Sequence, residues 1–326
     1  MKRILGIGSA LVDFLAQIPN EQILNELNLP KGSMTYVDIE NSVKISQIIT
    51  EKYGSQRASG GSAANTMSGL AQLGVEAGFV SKVGKDEVGR FFEKQMADTH
   101  VKPLMLKSDT TPSGRVMAFV TPDGERTFAT CLGAAIELSP DDIKPELFEG
   151  WDIFYVEGYL VANPNMLRKA METAKSKGLK IAIDLASYNV VEESRDFLME
   201  LIENYVDIVF ANEKESFALT NKEPEEALHF IAERCEIAVV KVGPKGAIIQ
   251  RAQEIVTVPP MEAKVVDTTG AGDMWAAGFL AGLVQGKDLK TSGTMGTLLA
   301  SNIIEVIGAK MDDARWEKIH AAIAKL

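Results

Sequence analysis

The stretch VVDTTGAGDMWAAGFLAGL, residues 265–283, places a glycine-rich turn directly before an apolar run that is typical of a buried helix. Gly270, Ala271, Gly272 and Asp273 stand where that helix is expected to begin. Glycines at such a turn let backbone N–H groups point into one small space, and the helix start adds about half a positive charge. Ligands of a doubly wound sheet bind beyond the carboxyl ends of its strands. The stretch therefore predicts an anion site suited to a phosphate.

Asp273 is unexpected in an anion site, because a bound phosphate repels a carboxylate. The residue is explained if it takes a proton from a hydroxyl that attacks the phosphorus, a role worth ~10²–10⁴-fold in rate. The N–H groups would then stabilise the transferring phosphoryl group. Alternatively, Asp273 only caps the helix and the glycines only form a turn. The stretch by itself leaves both interpretations open.

The remaining chain predicts one α/β domain over residues 1–326. From about residue 150, continuous apolar strands alternate with amphipathic helices, which indicates a parallel sheet covered on both faces. Two alternating runs around a Pro-Asp-Gly turn at residues 122–124 predict a β-hairpin. We expect a small second sheet drawn from about residues 12–40 and 103–132. Its exposed face needs cover, either as a lid over a ligand or as a dimer contact.

Composition excludes several classes of protein. The net charge of −11 argues against nonspecific nucleic-acid or membrane binding as the main role. Cys131 and Cys235 are far apart without C-x-x-C spacing, which indicates a reduced, cytoplasmic chain without a disulfide or zinc framework. Asp13 interrupts the apolar start, so we interpret the N-terminus as a first strand rather than a secretory signal. No apolar run approaches the ~20 residues of a membrane span.

Two motifs together resemble the signatures of the ribokinase-like, or PfkB-type, carbohydrate and nucleoside kinases: DTTGAGDMWAAGFLAGL and GGSAANTMSGLAQLG. Their order and separation also match that family, and the similarity covers nearly the whole chain. The resemblance implies a three-layer α/β/α sandwich with a mainly parallel central sheet and a small antiparallel β lid. It also implies transfer of the γ-phosphate of ATP to a primary hydroxyl of a sugar or nucleoside.

The resemblance assigns roles around the anion site. Asp273 resembles the catalytic base of the family, and Gly270, Ala271 and Gly272 resemble its anion hole. Thr268, in the same motif, is assigned to the ATP side. In part of the family a monovalent cation such as K⁺ binds beside the anion hole through backbone carbonyls, which the sequence leaves open.

Further ATP-side residues follow from two other segments. Asn212 and Glu215, in ANEKES, match an N-x-x-E element that helps to place the metal and the phosphates. A glutamate near ATP phosphates is sensible only with Mg²⁺ between them, here through water; the alternative is an ordinary helix start. KVGPKG, residues 241–246, replaces the usual Thr-Leu-Gly loop, although Gly243 and Gly246 still fit a loop against a nucleotide.

The acceptor side is assigned in the same way. Asp13 resembles the acid that binds substrate hydroxyls, since one carboxylate accepts two hydrogen bonds from a diol. Gly60, Gly61 and Asn65 match substrate-side positions, and Ser62 is a plausible N-cap of the following helix. Two hairpin arginines could reach a phosphate or lie solvated on the surface: Arg115 and Arg126.

Three competing functions are weighed against this one. An oxidoreductase is disfavoured because GIGSAL, residues 6–11, lacks the third glycine of a dinucleotide motif. A P-loop enzyme is disfavoured because G-x-x-x-x-G-K-[ST] does not occur. A noncatalytic sensor that retains the kinase fold is the third alternative.

The acceptor itself stays open, because ribokinase, fructokinase, ketodeoxygluconate kinase and adenosine kinase share this frame. SGRVMAFVTPDGERTF and EGYL resemble most the bacterial branch often called adenosine-kinase-like. An adenosine pocket needs apolar surface in the lid. Five residues could supply it or form the lid core instead: Phe14, Met34, Tyr36, Met117 and Phe119. We further expect a small-molecule partner, and a homodimer through the lid is an additional possibility.

Overall fold

Strands and helices alternate through most of the chain. The structure, a computed structural model, describes residues 2–326. Fourteen strands lie in this described part: β1 (Ile4–Ile7), β2 (Leu11–Gln17), β3 (Met34–Tyr36), β4 (Gln56–Gly60), β5 (Ala77–Gly84), β6 (Val101–Ser108), β7 (Gly114–Val120), β8 (Arg126–Cys131), β9 (Ile153–Glu157), β10 (Lys180–Asp184), β11 (Ile208–Asn212), β12 (Ile237–Lys241), β13 (Ala247–Arg251) and β14 (Glu254–Val258).

Twelve α-helices occur in the same residues: α1 (Gln22–Glu26), α2 (Ile39–Tyr53), α3 (Ser62–Gln72), α4 (Glu87–Asp98), α5 (Pro164–Ser176), α6 (Tyr188–Glu193), α7 (Arg195–Asn204), α8 (Glu213–Thr220), α9 (Pro224–Ala232), α10 (Ala271–Val284), α11 (Leu289–Ile303) and α12 (Asp313–Ile323).

The larger sheet has nine strands in the order β14-β13-β12-β11-β10-β9-β1-β5-β6. Within this sheet, as far as residues 2–326 are described, only the pairs β12–β13 and β13–β14 are antiparallel; its other pairs are parallel. Every residue of β1 and β9 is buried, because separate apolar clusters of helices cover the two faces. The predicted α/β sandwich with a mainly parallel sheet is confirmed.

The parallel strands bring polar residues to one edge of this sheet. Gly8 follows β1, and the last residues of β9, β10, β11 and β12 are Glu157, Asp184, Asn212 and Lys241. Parallel neighbours end at the same edge, which is where open α/β sheets bind ligands. The topology therefore gathers these side chains at one end of the molecule.

The smaller sheet has the order β3-β8-β7-β2-β4 and combines two antiparallel pairs with two parallel pairs. Helix α2 packs against β2, β7 and β8. Phe14, Met117 and Phe119 are at most 5% exposed and form the core of this sheet, whereas Met34 and Tyr36 are 57% and 63% exposed. Only the last two are therefore available to a ligand.

The expected extent of the smaller sheet is wrong in one segment. Residues 103–108 belong to β6, which pairs in parallel with β5 at the edge of the larger sheet. Helix α4 lies between these strands in sequence and provides the crossover that a parallel pair requires. In addition, β4 joins the smaller sheet from outside both predicted segments.

Candidate active site

Asp273 lies where the N-termini of two helices meet. It stands in the first turn of α10, and its Oδ1 accepts a hydrogen bond from Ser62 Oγ at 2.6 Å. Its Oδ2 accepts from Asn65 Nδ2 at 2.9 Å. Ser62 is the first residue of α3 and not its N-cap, which is Gly61. The predicted capping role of Ser62 is therefore wrong, and its hydroxyl orients the carboxylate instead.

The surroundings of Asp273 raise its pKa to about 6. Desolvation is the largest cause, and the negative charge of Asp184 adds to it. Hydrogen bonds from Ser62 and Asn65 and the charge of Lys241 act in the opposite direction. A carboxyl group with this pKa is ionised at neutral pH and is a stronger base than an exposed aspartate, as a general base requires.

The turn before α10 presents backbone donors. Gly270 has a φ of 76°, and an ideal Cβ there would lie 2.8 Å from Ala309 Cβ, so only glycine fits. Ala271 N–H donates to the Thr268 carbonyl at 3.2 Å. Among residues 2–326 we find no acceptor for the N–H groups of Gly272 and Asp273. Two of the first helical N–H groups are thus left for a ligand.

Asp267 fixes the shape of this turn. Its Oδ1 accepts from the backbone N–H and the hydroxyl of Thr269 at 3.1 and 2.8 Å. Its Oδ2 accepts from Gly308 N–H at 2.6 Å and lies 2.7 Å from Arg126 Nη1. Since Arg126 begins β8, this ion pair joins the smaller sheet to the predicted anion hole.

Arg115 does not reach the site. Its side chain is 9% exposed and contacts Asp86 at 3.5 Å. Nη1 donates to the Ser113 carbonyl at 2.9 Å. Arg115 pairs in register with Val12, on the face of the smaller sheet that packs into the core, and is thereby separated from Asp13.

The predicted acceptor-side residues lie around the start of α3, and Asn65 contacts Asp273. An ideal Cβ at Gly60 would lie 2.6 Å from both carboxylate oxygens of Asp13, and one at Gly61 would lie 2.2 Å from the Ser9 carbonyl. Gly61 has a φ of 98° and leads into α3, whose Asn65 holds Asp273. These glycines therefore let β2 and β4 approach the start of α3.

Asp13 is itself perturbed. Burial raises its pKa to about 7, and the charge of Lys310 opposes this effect. Lys310 Nζ donates to Ser59 Oγ on β4 at 2.7 Å. Burial lowers the pKa of Lys310, again opposed by its carboxylate neighbour.

Two exposed tyrosines lie on this side of the molecule, and the strand register puts Tyr36 on the same face of the smaller sheet as Asp13. Tyr36 projects from β3 and is 63% exposed, while Tyr159 follows β9 and is 41% exposed. Burial of its ring, together with the charges of Glu157, Asp273 and Glu215, raises the pKa of Tyr159 far above its usual value. Tyr159 is therefore close enough to the predicted base for their charges to interact, and an exposed aromatic ring there can cover a planar ligand.

Asn212 and Glu215 form a capping box at the start of α8. Asn212 Oδ1 accepts from Glu215 N–H at 2.9 Å, and the glutamate oxygens accept from the backbone and side-chain nitrogens of Asn212 at 2.7 and 2.6 Å. Burial and the charge of Asp184 raise the pKa of Glu215 to about 7, opposed by Lys241. With both oxygens engaged, Glu215 fits an Mg²⁺ that it contacts through water, not directly.

The nucleotide-side glycines shape a tight loop. Gly243 has a φ of 53° and Gly246 a φ of 97°. An ideal Cβ at Gly246 would lie 2.0 Å from the Val258 carbonyl, so this position requires glycine. Thr268 is exposed beside the turn and contributes its carbonyl to Ala271. Contacts of these residues with ATP stay predictions.

Three charged residues of the site were missing from the sequence prediction: Glu157, Asp184 and Lys241. Glu157 is 2% exposed and accepts from Ser9 N–H and Ala63 N–H at 3.2 and 3.0 Å. Burial raises its pKa to about 7. The available signal was simple, because each of these residues directly ends a buried apolar strand.

An α/β sandwich whose ligand edge combines a desolvated carboxylate with unpaired backbone donors suits a phosphotransferase that acts on an alcohol. The chain matches the pfkB family of carbohydrate kinases over residues 32–314 and belongs to that family. It is a phosphotransferase of sugars or nucleosides, and kinases of this family use ATP and typically a divalent metal. No helix in residues 2–326 is long and apolar enough to cross a membrane.

Three known proteins illustrate the similarity. An uncharacterised sugar kinase of Archaeoglobus fulgidus is 31% identical over 255 residues, 74% of this chain and 96% of that protein. The adenosine kinase of Saccharomyces cerevisiae is 27% identical over 325 residues, 93% of this chain and 94% of that protein. The crystal structure of adenosine kinase from Sinorhizobium meliloti has a TM-score of 0.85 at 34% identity and covers 98% of this chain and 99% of that one.

Proposed function

We propose that this kinase transfers the γ-phosphate of ATP to the primary hydroxyl of a nucleoside, with adenosine as the first candidate. The observation that carries the proposal is the position of Asp273. Its desolvated carboxylate lies at a helix start whose Gly272 and Asp273 N–H groups have no acceptor in residues 2–326. A hydroxyl and a phosphoryl group can therefore meet at one point.

The chain's own residues perform the following steps. Asp273 removes the hydroxyl proton while the hydroxyl oxygen forms its bond to the γ-phosphorus. The bond from this phosphorus to the bridging oxygen breaks, and ADP leaves with that electron pair. The free N–H groups, with the turn of Gly270, Ala271 and Gly272, stabilise the charge on the transferring group. Glu215 would hold an Mg²⁺ through water, and the ion would supply charge neutralisation beside the phosphates.

A nucleoside is supported by the surfaces around Asp13. Its carboxylate can accept hydrogen bonds from two hydroxyls of a ribose, with Gly60 and Asn65 on the same side. Tyr36, on the same face of the smaller sheet as Asp13, and the exposed Tyr159 can cover a planar base. A simple sugar leaves these rings without a partner. The similarity to adenosine kinases supports the same acceptor.

Other aspects of the function stay predictions. The ion pair of Arg126 and Asp267 joins the smaller sheet to the turn before α10, so we infer that residues 1–326 act as one domain with the smaller sheet as a lid. Activity in K⁺ compared with tetramethylammonium tests the monovalent cation. Light scattering tests the homodimer through the lid.

The decisive experiment is an ADP-release screen across pentoses, hexoses, keto-deoxy acids and nucleosides. We expect turnover with adenosine to exceed turnover with any free sugar. Preference for a sugar contradicts the nucleoside assignment but leaves the kinase assignment intact. ATP binding without turnover on any acceptor contradicts both and favours the noncatalytic sensor.

A further inference from the structure

Lys241 brings a buried cation to the predicted anion hole. It ends β12, and its Nζ lies 2.9 Å from Oδ2 of Asp184, which ends β10. The two side chains are only 14% and 8% exposed. An ideal Cβ on Gly272 would lie 3.2 Å from this Nζ. The ammonium group therefore lies against the first turn of α10.

The ammonium group has unused hydrogen-bonding capacity. Lysine carries three N–H donors. Across residues 2–326, the one hydrogen bond of Lys241 Nζ is to Asp184. Outside Gly272, its neighbours Ala271 and Asp273 and the nearby helix backbone, Nζ is also the one heavy atom of the described chain within 4 Å of the ideal Cβ position at Gly272. Two donors of a largely buried cation thus have no hydrogen-bond partner among residues 2–326 and lie near the free N–H groups.

The local charges also require a cation here. Asp184, Glu215 and Asp273 all act on the charge of Lys241. A triphosphate that binds at this edge of the larger sheet brings further negative charge close to these three carboxyl groups. Lys241 is placed to compensate for it, and a hydrogen bond to a charged group contributes more than a neutral one.

We propose that the two remaining N–H donors of Lys241 bind the γ-phosphate of ATP, which makes Lys241 a catalytic residue and Asp184 its positioning residue. This inference rests on the proposed kinase function. Lys241 stays protonated throughout, so the bonds formed and broken are those already described. The departure from the Thr-Leu-Gly pattern at this position then supplies a charge in place of a hydroxyl.

The alternative is that Lys241 only neutralises Asp184 and Glu215. Lys241→Met removes the charge and retains the length of the side chain. Lys180→Met is the matched control. Lys180 begins β10, the strand that ends at Asp184, so it lies at the opposite edge of the sheet, where it pairs with Glu236. Calorimetry would measure the affinities of a nonhydrolysable ATP analogue, ADP and AMP.

We expect Lys241→Met to weaken the binding of the ATP analogue ~10-fold or more and to leave the affinity for AMP unchanged, since the lost contact is to the γ-phosphate. kcat should fall by ~10²-fold. Lys180→Met should match the wild type in every measurement. An equal loss for the ATP analogue, ADP and AMP, or no loss, overturns the proposal.

The double variant Asp184→Asn/Lys241→Met separates the two explanations and avoids an unpaired buried charge if the single variant does not fold. Restored kcat in the double variant contradicts phosphate contact, whereas a kcat still ~10²-fold low supports it. A wild type without kinase activity contradicts the proposed function instead. A fully active Lys241→Met variant contradicts only the role of Lys241.

Discussion

The substitution Asp273→Asn separates two effects of the predicted base: its effect on catalysis and its effect on the stability of the folded protein. The substitution exchanges one oxygen for an amide nitrogen and retains the shape of the side chain. The remaining oxygen can still accept from Asn65 Nδ2, now at 2.9 Å from the carboxylate. The Ser62 hydroxyl can rotate and accept from the new amide. We therefore expect the variant to fold and to bind ATP.

Activity should fall because an amide cannot take a proton from the acceptor hydroxyl. General-base catalysis contributes ~10²–10⁴-fold, so kcat should decrease by at least ~10²-fold. In the wild type, kcat/KM should rise with pH through an apparent pKa near 6, since Asp273 must be ionised to act. A variant that retains more than about a tenth of the wild-type kcat would refute the assignment of the base.

Stability should change in the opposite direction, with a defined pH dependence. The pKa of Asp273 is about 6 in the folded protein, against 3.8 for an ordinary aspartate. The folded state therefore holds the proton more tightly. The stability that the folded state gains from this proton is fully present below pH 3.8 and is lost as pH rises through 6. This difference corresponds to ~3 kcal/mol, and asparagine does not titrate. The free energy of unfolding of the variant, relative to that of the wild type, should therefore increase by ~3 kcal/mol from pH values below 3.8 to pH 8.

Urea unfolding at pH 5, 6, 7 and 8 measures the part of this gain that falls above pH 5, ~1.4 kcal/mol with these two pKa values. Trp275 is buried within the same helix and reports its unfolding. Asp288→Asn is the matched control. Asp288 is the N-cap of α11, and hydrogen bonds from Thr291 lower its pKa, so it does not titrate in this range. The difference in the free energy of unfolding between Asp288→Asn and the wild type should therefore be the same at every pH. A constant difference for Asp273→Asn as well would refute the desolvation argument.

Three further substitutions test the frame of the site. Arg126→Gln breaks the ion pair with Asp267 and should speed hydrogen exchange in the hairpin about tenfold; unchanged exchange contradicts the link between the smaller sheet and the turn before α10. Gly246→Ala places a Cβ 2.0 Å from a backbone carbonyl and should cost more than ~3 kcal/mol in urea unfolding, whereas Gly178→Ala, with φ of 80° and open space, should cost ~1–2 kcal/mol. Asn212→Ala should cost ~1 kcal/mol through the lost cap and should weaken ATP binding in Mg²⁺; intact binding argues against its ATP-side role.

Local signals explain why the start of α10 was predictable from the sequence. Gly270 and Gly272 mark the turn, and the apolar run after Asp273 specifies a buried helix. The same kind of signal failed for α2, which was not predicted. Two of the four buried positions of α2 are serines, Ser42 and Ser46, so its apolar face is interrupted. A helix that buries hydroxyls gives a weak periodic pattern.

The position of β6 shows a second limit. Residues 101–108 are half buried, as expected for an edge strand, and the same pattern fits an exposed hairpin. The sequence alone therefore indicates a strand but not its sheet. The crossover through α4 decides which sheet β6 joins, because it returns the chain to the edge of β5. That information is contained in the order of the elements and not in the strand itself.

The charged residues at the strand ends were missed for a related reason. Glu157, Asp184 and Lys241 are far apart in sequence, and a single charged residue after an apolar strand has no periodicity. Their proximity depends on the order of β9, β10, β11 and β12 in the sheet. The resemblance supplied the motif residues, but Lys241 appeared in it only as a departure from the pattern.

The four carboxyl groups with raised pKa connect stability to function in this fold. Asp13, Glu157, Glu215 and Asp273 surround one end of the larger sheet, and desolvation is the largest cause of each shift. Each group therefore makes the folded state less stable as pH rises through about 6 to 7. Desolvation is also what strengthens Asp273 as a base. Because one cause has both effects, a substitution around Asp273 that hydrates its carboxylate should stabilise the protein at pH 8 and slow phosphoryl transfer.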